Sequence, residues 1–409
     1  MTKGSARVSH KANGVVSSDG ATGPLAATPR LMRAMNERLL LEHVHNAGSA
    51  SRPDLARSSG LSKPTVATAL ATLERDGLVQ IAGRRGGVRG PAAVLYEIRP
   101  EAGYVLGLDV GRQYVRGAIA DITGSIRARS SRAVRLTSAR HRLAELERLG
   151  KELAGTAGIS LGDITQTVIG SPGVYDSRRG ALTMARNLPG WEHPEVVADL
   201  QEVFGKATVV ENDVDVAALA ERDHGYGQDV GTFCVVWVGT GIGMGLVIEG
   251  QLHRGAHGAA GEIAFLPVGD PGVNAREARH HGQLEAVASA AAVVREARSV
   301  GLGGPLSARR VFTAAAKGDS RALSVVRREA HHVARAVTAV MAVVDPELVI
   351  LGGGIGQAPG FAEAVIEELR SLAPFVPELR ASALGDDAVV FGCVSSGMDR
   401  AWRRVLERA

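Results

Sequence analysis

The pattern that most constrains the fold lies in residues 31–98, where three short helices are predicted in front of a hairpin. A second helix is predicted over 52–58, and the turn Gly60-Leu61 follows it. Ser62 stands at an N-cap position with Pro64 in the first turn, which predicts the start of a third helix. The first helix, over 31–46, carries apolar residues at helical spacing: Leu31, Met35, Leu39, Leu40 and Val44. This order predicts a helix-turn-helix.

The third helix has one apolar face and one polar face. Val66, Leu70 and Leu73 are expected to be buried. The opposite face offers short or charged side chains that can approach base edges in a major groove, and the helix N-terminus suits a phosphate. The predicted DNA contacts of this helix are Ser62, Lys63, Thr65 and Thr68.

A wing is predicted after the third helix. Two short strands, near 79–81 and over 94–98, flank a basic glycine-rich tip. Glycines let a backbone approach DNA closely, so Arg84, Arg85 and Arg89 are predicted to contact it. The alternative interpretation is a three-helix interaction module with a solvated hairpin.

Charge favours the DNA-binding interpretation. The first 100 residues hold 14 Lys and Arg against 7 Asp and Glu, whereas the whole chain holds 47 against 43. The excess positive charge therefore lies with the helix-turn-helix, as expected for a domain that binds a polyanion.

Length and composition limit the remaining classes. A chain of 409 residues is expected to form two or three folded units. Its two cysteines, Cys234 and Cys393, lie in apolar, strand-like contexts and fit a reducing cytoplasm. No run approaches the length of a membrane span, and residues 1–28 are expected to form a disordered arm. A cytoplasmic, nucleoid-associated protein without a membrane partner is expected.

Three glycine-rich turns follow predicted strands in the second part of the chain. Such turns can direct backbone N–H groups at a phosphate, although a D-x-G sequence at a strand end is also common in hairpins. The candidate nucleotide-binding residues in these turns are Asp109, Gly111, Gly239, Thr240, Gly241, Gly243 and Gly353.

Several motifs in this part resemble the ROK family of sugar kinases and sugar-responsive repressors. S-P-G, N-L-P-G-W, E-N-D, G-T-G-I-G-x-G, A-G-E-I, L-E-x-x-A-S and L-G-G-G occur in family order over about residues 104–405. The resemblance implies an α/β chain with a two-lobed, actin-like or hexokinase-like ATPase fold behind the winged helix. The expected domains are an arm over 1–28, a winged helix-turn-helix over 29–100 and a ROK domain over 101–409.

The resemblance also implies a sugar site. The aspartate of E-N-D, which takes the proton from the sugar hydroxyl in family kinases, maps onto Asp213. The implied sugar-binding residues are Gly173, Asn187, Asn212, Asp213, Glu262 and Glu285. The alternative is that Asn212 and Asp213 only cap the helix that begins near Val214.

The chain departs from the kinase pattern at three places. Arg112-Gln113-Tyr114 stands where family kinases have Gly, Thr and a Lys or His after D-x-G, so the phosphate-binding hydroxyl is missing. Phe265 replaces the histidine that ends G-E-I-G-H. The segment 276–283 has no cysteine, and His280-His281 supplies at most two zinc ligands. We therefore expect no zinc, no cofactor, a vestigial nucleotide site and a vestigial base at Asp213.

These observations predict a transcriptional regulator, expected to be a repressor, that a sugar or sugar derivative releases from its operator. An operator of double-stranded DNA with an inverted repeat implies a homodimer or a dimer of dimers. Two alternatives stay open: an active ATP-dependent sugar kinase that also binds DNA, and a ROK regulator that has lost sugar sensing.

Overall fold

A computed structural model describes residues 28–86, 92–134, 138–176, 179–185, 187–267, 278–279 and 281–409. The predicted arm lies almost entirely outside this part of the chain. So do Arg89 at the wing tip and His280.

The N-terminal region forms the predicted winged helix-turn-helix. Its elements are α1 (Pro29–Ala47), β1 (Ser49–Ser51), α2 (Arg52–Ser59), α3 (Lys63–Arg75), β2 (Val79–Arg85) and β3 (Ala93–Ile98). The strands form an antiparallel sheet in the order β1-β3-β2. Ser51 and Ser62 cap α2 and α3 because their side chains accept hydrogen bonds from the N–H groups of Asp54 and Thr65.

The apolar face predicted for the first helix is only partly covered. Leu40, Leu41 and Val44 are buried, but Leu31 and Met35 are 47% and 58% exposed. The helical spacing was correct, and only the second half of the helix is covered by the packed core of this domain. The first turns therefore extend beyond that core.

The rest of the described chain forms the two α/β lobes that the sequence predicted. The strands are β4 (Tyr104–Val110), β5 (Tyr114–Asp121), β6 (Ile126–Ala133), β7 (Gln166–Ser171), β8 (Val174–Asp176), β9 (Ala181–Thr183), β10 (Val209–Asn212), β11 (Phe233–Val238), β12 (Ile242–Ile248), β13 (Gln251–Leu252), β14 (Leu348–Gly352) and β15 (Glu378–Ala381). The helices of the described residues are α4 (Ala139–Thr156), α5 (Val196–Phe204), α6 (Asp213–His224), α7 (Gln283–Val287), α8 (Ala290–Ser299), α9 (Ala308–Ala316), α10 (Ser320–Val344), α11 (Gly353–Gly356), α12 (Phe361–Leu372) and α13 (Ala388–Leu406).

Each lobe is built on a five-stranded mixed sheet. The first sheet has the order β10-β7-β4-β5-β6, and the second has the order β13-β12-β11-β14-β15. In the first sheet β4 and β10 both run parallel to β7, and in the second sheet β11 runs parallel to β14. The carboxyl ends of these strands therefore lie at the same edge of their sheet, and the polar motifs follow them there.

Helices α6 and α13 cross between the two lobes. α6 packs on β11 and β12, while α13 packs on β4, β5 and β7. A Cβ at Gly392 of α13 would overlap the carbonyl oxygen of Val216 in α6, so only glycine fits this crossing. Cys393 is buried on α13, which corrects its assignment to a strand, whereas Cys234 is buried on β11 as expected.

The C-terminal helix also joins the core of the winged helix. Ala401 and Val405 of α13 belong to the apolar cluster that contains Leu41, Val44 and Leu70. Among the described residues, no helix combines the length and apolar composition needed to cross a membrane.

The glycine at the helix crossing gives a testable prediction. Gly392→Ala should lower the free energy of unfolding by about 1–3 kcal/mol because the new methyl group has no space against Val216. Gly155→Ala is the matched control, since Gly155 lies exposed in α4 with open space around it and alanine favours helix. Urea denaturation measures both variants. Equal stability of the two variants would contradict the tight crossing.

Candidate ligand cleft and nucleic-acid interface

The start of α3 presents the predicted DNA contacts at the surface. Lys63 and Thr68 are exposed, and Thr65 is half-buried. The Thr68 hydroxyl donates to the carbonyl of Pro64 at 3.0 Å, so its oxygen remains able to accept a hydrogen bond from a base. Ser62 and Thr65 share a hydrogen bond of 2.8 Å between their hydroxyls, within the cap of the helix.

The wing is tied to the second helix. Arg85 donates from Nη2 to Oδ2 of Asp54 at 2.6 Å, and Ser51 donates to the same oxygen at 2.6 Å. Hydrogen bonds from Ser51 and then from Arg85 lower the pKa of Asp54. Arg84 next to it is exposed. The structure therefore places Arg85 against the second helix and Arg84 at the surface of the wing, while Arg89 lies outside the described residues.

The implied sugar residues of the first lobe meet at the N-terminus of α6. Asn212 accepts from the N–H groups of Val214 and Asp215 at 2.9 and 3.0 Å, and its Nδ2 donates to the carbonyl of Gly173 at 3.1 Å. Asn212 is thus the helix cap that the alternative interpretation required, and it also lies beside the other candidate residues. The cap therefore orients this amide at the cleft.

Gly173 is fixed by backbone geometry. Its φ is +93°, and a Cβ there would lie 2.5 Å from the carbonyl oxygen of Thr183. Only glycine adopts this conformation without strain in so tight a space. The turn therefore holds the Gly173 carbonyl within hydrogen-bond distance of the Asn212 side chain.

Asp213 is half-buried at the start of α6, close to other carboxylates. Burial first, and then the charges of Asp109 and Glu262, raise its pKa from 3.8 to about 7. Its Oδ1 accepts from the N–H of Val214 at 2.9 Å. Asp213, Asp109 and Glu262 therefore lie close enough for their charges to influence one another.

The second lobe contributes Glu285 and Glu262. Glu285 accepts from the N–H of Ile242 at 3.2 Å. A Cβ at Gly241 would overlap the Glu285 carboxylate and would lie 3.3 Å from Nδ2 of Asn187, so these three residues from two lobes are neighbours. Glu262 follows Gly261, whose φ of +88° and contact with the Met244 carbonyl also require glycine.

The first glycine turn is closed by its own contacts. The N–H of Gly111 donates to the carbonyl of Tyr114 at 3.0 Å. Arg116 donates to Asp109 Oδ2 at 3.1 Å and reaches Asp386 Oδ2 at the same distance. Burial raises the pKa of Asp109 to about 6 against the opposing charge of Arg116. The turn has no Ser or Thr hydroxyl, the N–H of Gly111 is used within the turn, and the carboxylate of Asp109 faces a protein cation.

The other glycine turns lie together in the second lobe. The N–H of Gly239 donates to the Gly241 carbonyl at 2.9 Å. A Cβ at Gly353 would lie 2.5 Å from the Val238 carbonyl, and one at Gly243 would lie 3.2 Å from Val214, so both glycines allow close packing. Thr240 is exposed at the tip of its turn.

The expected loss of zinc concerns a segment that is only partly described. Residues 268–277 and His280 lie outside the described residues. His281 Nδ1 lies 3.5 Å from Glu285 Oε1, and Phe265 is 41% exposed in the short 3-10 helix after Glu262.

Sequence reasoning missed the arginines of the cleft. Arg116, Arg254 and Arg400 each pair with a buried carboxylate, but in sequence they look like ordinary surface charges. Glu211 is the first residue of the E-N-D motif, which by itself does not predict an ion pair. The position of Arg116 opposite Asp109 on paired strands was the one available signal.

Comparison with known proteins follows the same division of the chain. The ROK family model matches residues 105–395, and a winged helix-turn-helix DNA-binding model matches residues 36–80. The chain is 25% identical over 386 residues to a putative xylose repressor of Caldicellulosiruptor sp. (strain Rt8B.4), covering 89% of this chain and 96% of that protein.

Two further similarities concern an enzyme and a solved structure. The chain is 32% identical over 245 residues to a glucokinase of Thermotoga maritima, covering 56% of this chain and 77% of the glucokinase. The structure of a ROK family transcriptional regulator, described as a homologue of the E. coli MLC protein, aligns with a TM-score of 0.70 and 22% identity. That alignment covers 92% of this chain and 99% of the regulator, and it concerns the fold.

The raised pKa of Asp213 gives a prediction about stability. The folded state holds a proton between the ordinary pKa of 3.8 and about 7, so unfolding free energy falls as pH rises through this window. Asp213→Asn keeps the shape and removes the ionisation. The variant should therefore gain stability over wild type, with the gain growing by about 1 kcal/mol or more between pH 5 and pH 8.

Thermal denaturation at the two pH values measures this difference. Asp199→Asn is the control, because Asp199 lies exposed on α5 and its substitution should shift the midpoint equally at both pH values. A pH-independent difference between Asp213→Asn and wild type would contradict the buried, protonated carboxyl.

Proposed function

The chain belongs to the ROK family, and we propose that it is a transcriptional repressor that a monosaccharide or sugar derivative releases from its operator. One observation carries the proposal. Polar groups of both lobes, Asp213 of the first and Glu262 of the second, lie within electrostatic reach of each other, while Arg116 pairs with Asp109 of the first glycine turn. Binding without phosphoryl transfer is the activity that this combination supports.

DNA binding rests on the winged helix. A capped α3 with exposed Lys63 and Thr68 can enter a major groove, and Arg84 and Arg85 are exposed on the wing. The similarity to a protein named as a putative xylose repressor extends over 96% of that protein and includes this region. This similarity supports repression as the output.

The ligand is proposed to be a neutral monosaccharide. Amide and carboxylate groups of Asn187, Asp213 and Glu285 match the alternating donors and acceptors of sugar hydroxyls. Relatives named for xylose and glucose support pentoses and hexoses as the first candidates. The sugar-binding set proposed from the sequence stays as it was: Gly173, Asn187, Asn212, Asp213, Glu262 and Glu285.

Assembly and location follow from the proposed operator. A repressor of this class reads an inverted repeat with two winged helices, so we propose a homodimer or a dimer of dimers. Its site of action is the nucleoid in the cytoplasm. No cofactor is proposed.

A second candidate function is an active sugar kinase that also binds DNA. The observation that favours it is Asp213, because a carboxyl with a pKa of about 7 is suited to accept a proton at neutral pH. Similarity to a glucokinase supports the same candidate. The closed turn at Gly111 argues against it.

Ligand and nucleotide assays separate the two candidates. Wild-type protein should bind D-xylose or D-glucose in a thermal-shift assay and consume no ATP above background with either sugar. Glu262→Ala should still bind operator but should no longer release it on sugar addition, because a ligand contact is removed. ATP-dependent phosphorylation that Asp213→Asn abolishes would establish the kinase, and normal release by Glu262→Ala would remove the proposed pocket.

The recognition helix is tested by a matched pair of threonines. Thr68→Ala should weaken specific operator binding by about 1–3 kcal/mol and relax sequence preference at one base pair. Thr156→Ala is the control, since its hydroxyl makes the same bond to a carbonyl four residues back on an exposed helix of the other domain. Fluorescence anisotropy measures both. Equal affinities would mean that α3 does not read the major groove.

The basic residues are tested through salt dependence. Lys63→Ala and the double variant Arg84→Ala/Arg85→Ala should each flatten the dependence of affinity on salt, by about one unit of log–log slope for each lost phosphate contact. Titrations at several salt concentrations measure the slope. An unchanged slope would place these side chains away from DNA.

A further inference from the structure

A buried carboxylate lies one residue before the candidate sugar-binding residues. Glu211, only 9% exposed, accepts from Arg254 Nη2 at 2.8 Å on one oxygen and from Arg400 Nη2 at 2.7 Å on the other. Ser396 also donates to it, at 3.2 Å. Burial raises the pKa of Glu211, but the two arginines outweigh burial and lower it below its ordinary value. The carboxylate is therefore charged and shared between two cations.

The three charged residues come from three separate parts of the fold. Glu211 lies on β10 in the first lobe and is followed directly by Asn212. Arg254 follows β13 in the second lobe, and its carbonyl accepts from the N–H of Ala260 at 3.1 Å, two residues before Glu262. Arg400 lies on α13. We call the cluster of Glu211, Arg254 and Arg400 the Glu211 joint.

The helix that carries Arg400 continues into the DNA-binding domain. Ala401 and Val405 pack in the core of the winged helix. The ring of Trp402 lies 3.9 Å from the ring of His45, near the end of α1. Arg408 donates to the carbonyl of Ala102 at 3.3 Å. Arg400 of the Glu211 joint is thus followed directly by the residues of α13 that pack in the core of the winged helix.

We propose that the Glu211 joint transmits sugar binding in the cleft to the winged helix through α13. This inference rests on the proposed function and identifies the contact that couples sugar binding to DNA binding. A sugar held between Asn212 and Glu262 changes the separation of the segments that carry Glu211 and Arg254. Arg254 then shifts relative to the shared carboxylate, and the pairing of Glu211 with Arg400 changes with it.

The physical basis is the cost of an unbalanced charge away from water. A buried carboxylate that loses one of two cations must rearrange toward the other, since its desolvation is otherwise uncompensated. α13 is held along its length by β4, β7 and α6, so a movement at Arg400 displaces its last turns as a unit. The displaced turns are those that contact His45.

The test compares two arginines of the same helix. Arg400→Met and Glu211→Gln remove the charges of the joint, whereas Arg404→Met removes an exposed charge one turn further on. Operator affinity is measured for each full-length variant without sugar and with D-xylose or D-glucose, and sugar binding is measured separately by calorimetry. Thermal denaturation confirms folding, and Arg400→Met, a change at a partly exposed side chain, serves if Glu211→Gln does not fold.

The expected result is a loss of coupling without a loss of sugar binding. Wild type and Arg404→Met should lose operator affinity at least tenfold on sugar addition. The sugar affinity of Glu211→Gln and of Arg400→Met should lie within threefold of the wild-type value. Sugar addition should change their operator affinity less than twofold. Hydrogen exchange at residues 401–406 should respond to sugar in wild type and not in the joint variants.

Two results would overturn the inference. The first is sugar-dependent release by Glu211→Gln and Arg400→Met at wild-type amplitude, which leaves the proposed function intact and removes the joint. The second applies if wild type responds to neither sugar, so that the proposed function itself fails. In that case the operator titrations without sugar test the Glu211 joint. Glu211→Gln and Arg400→Met should then bind operator at least threefold more weakly than Arg404→Met. Equal operator affinities would contradict the joint.

Discussion

The contact between α6 and α13 holds the two lobes and the winged helix in one framework. α6 begins at the cleft, where Asn212 caps it, and α13 ends in the core of the DNA-binding domain. The helices approach so closely at Gly392 that no side chain fits between them. Because packed interiors shift in discrete steps and do not deform continuously, a change at the start of α6 reaches α13 as a change of position.

The cleft combines many carboxylates with few cations. Asp109, Asp213 and Glu262 influence one another, and burial raises the pKa of Asp215 to about 7 against the opposing charge of Arg254. Such a surface supplies hydrogen-bond acceptors for neutral hydroxyl groups. A triphosphate would meet acidic groups here, and Arg116 beside Asp109 is already engaged by two carboxylates. Electrostatics therefore favours a sugar over a nucleotide.

Local features of this fold could be predicted from the sequence because local chemistry determines them. The cap at Ser62, the turn at Gly173 and the strands before each glycine turn are specified within a few residues. Tertiary partners could not be predicted. Glu211 and Arg400 lie 189 residues apart, and the exposure of Leu31 depends on how far the domain core extends along α1. Hydrophobic periodicity predicts which face of a helix is apolar, but it does not predict which residues pack against that face.

The central claim is that sugar and operator bind to one coupled protein. Linkage requires that sugar weakens operator binding by the same factor as operator weakens sugar binding. Calorimetric titration of D-xylose or D-glucose into free protein and into protein saturated with operator measures the second factor, and anisotropy measures the first. The account predicts two equal factors of about tenfold or more. An identical sugar affinity with and without operator would contradict it.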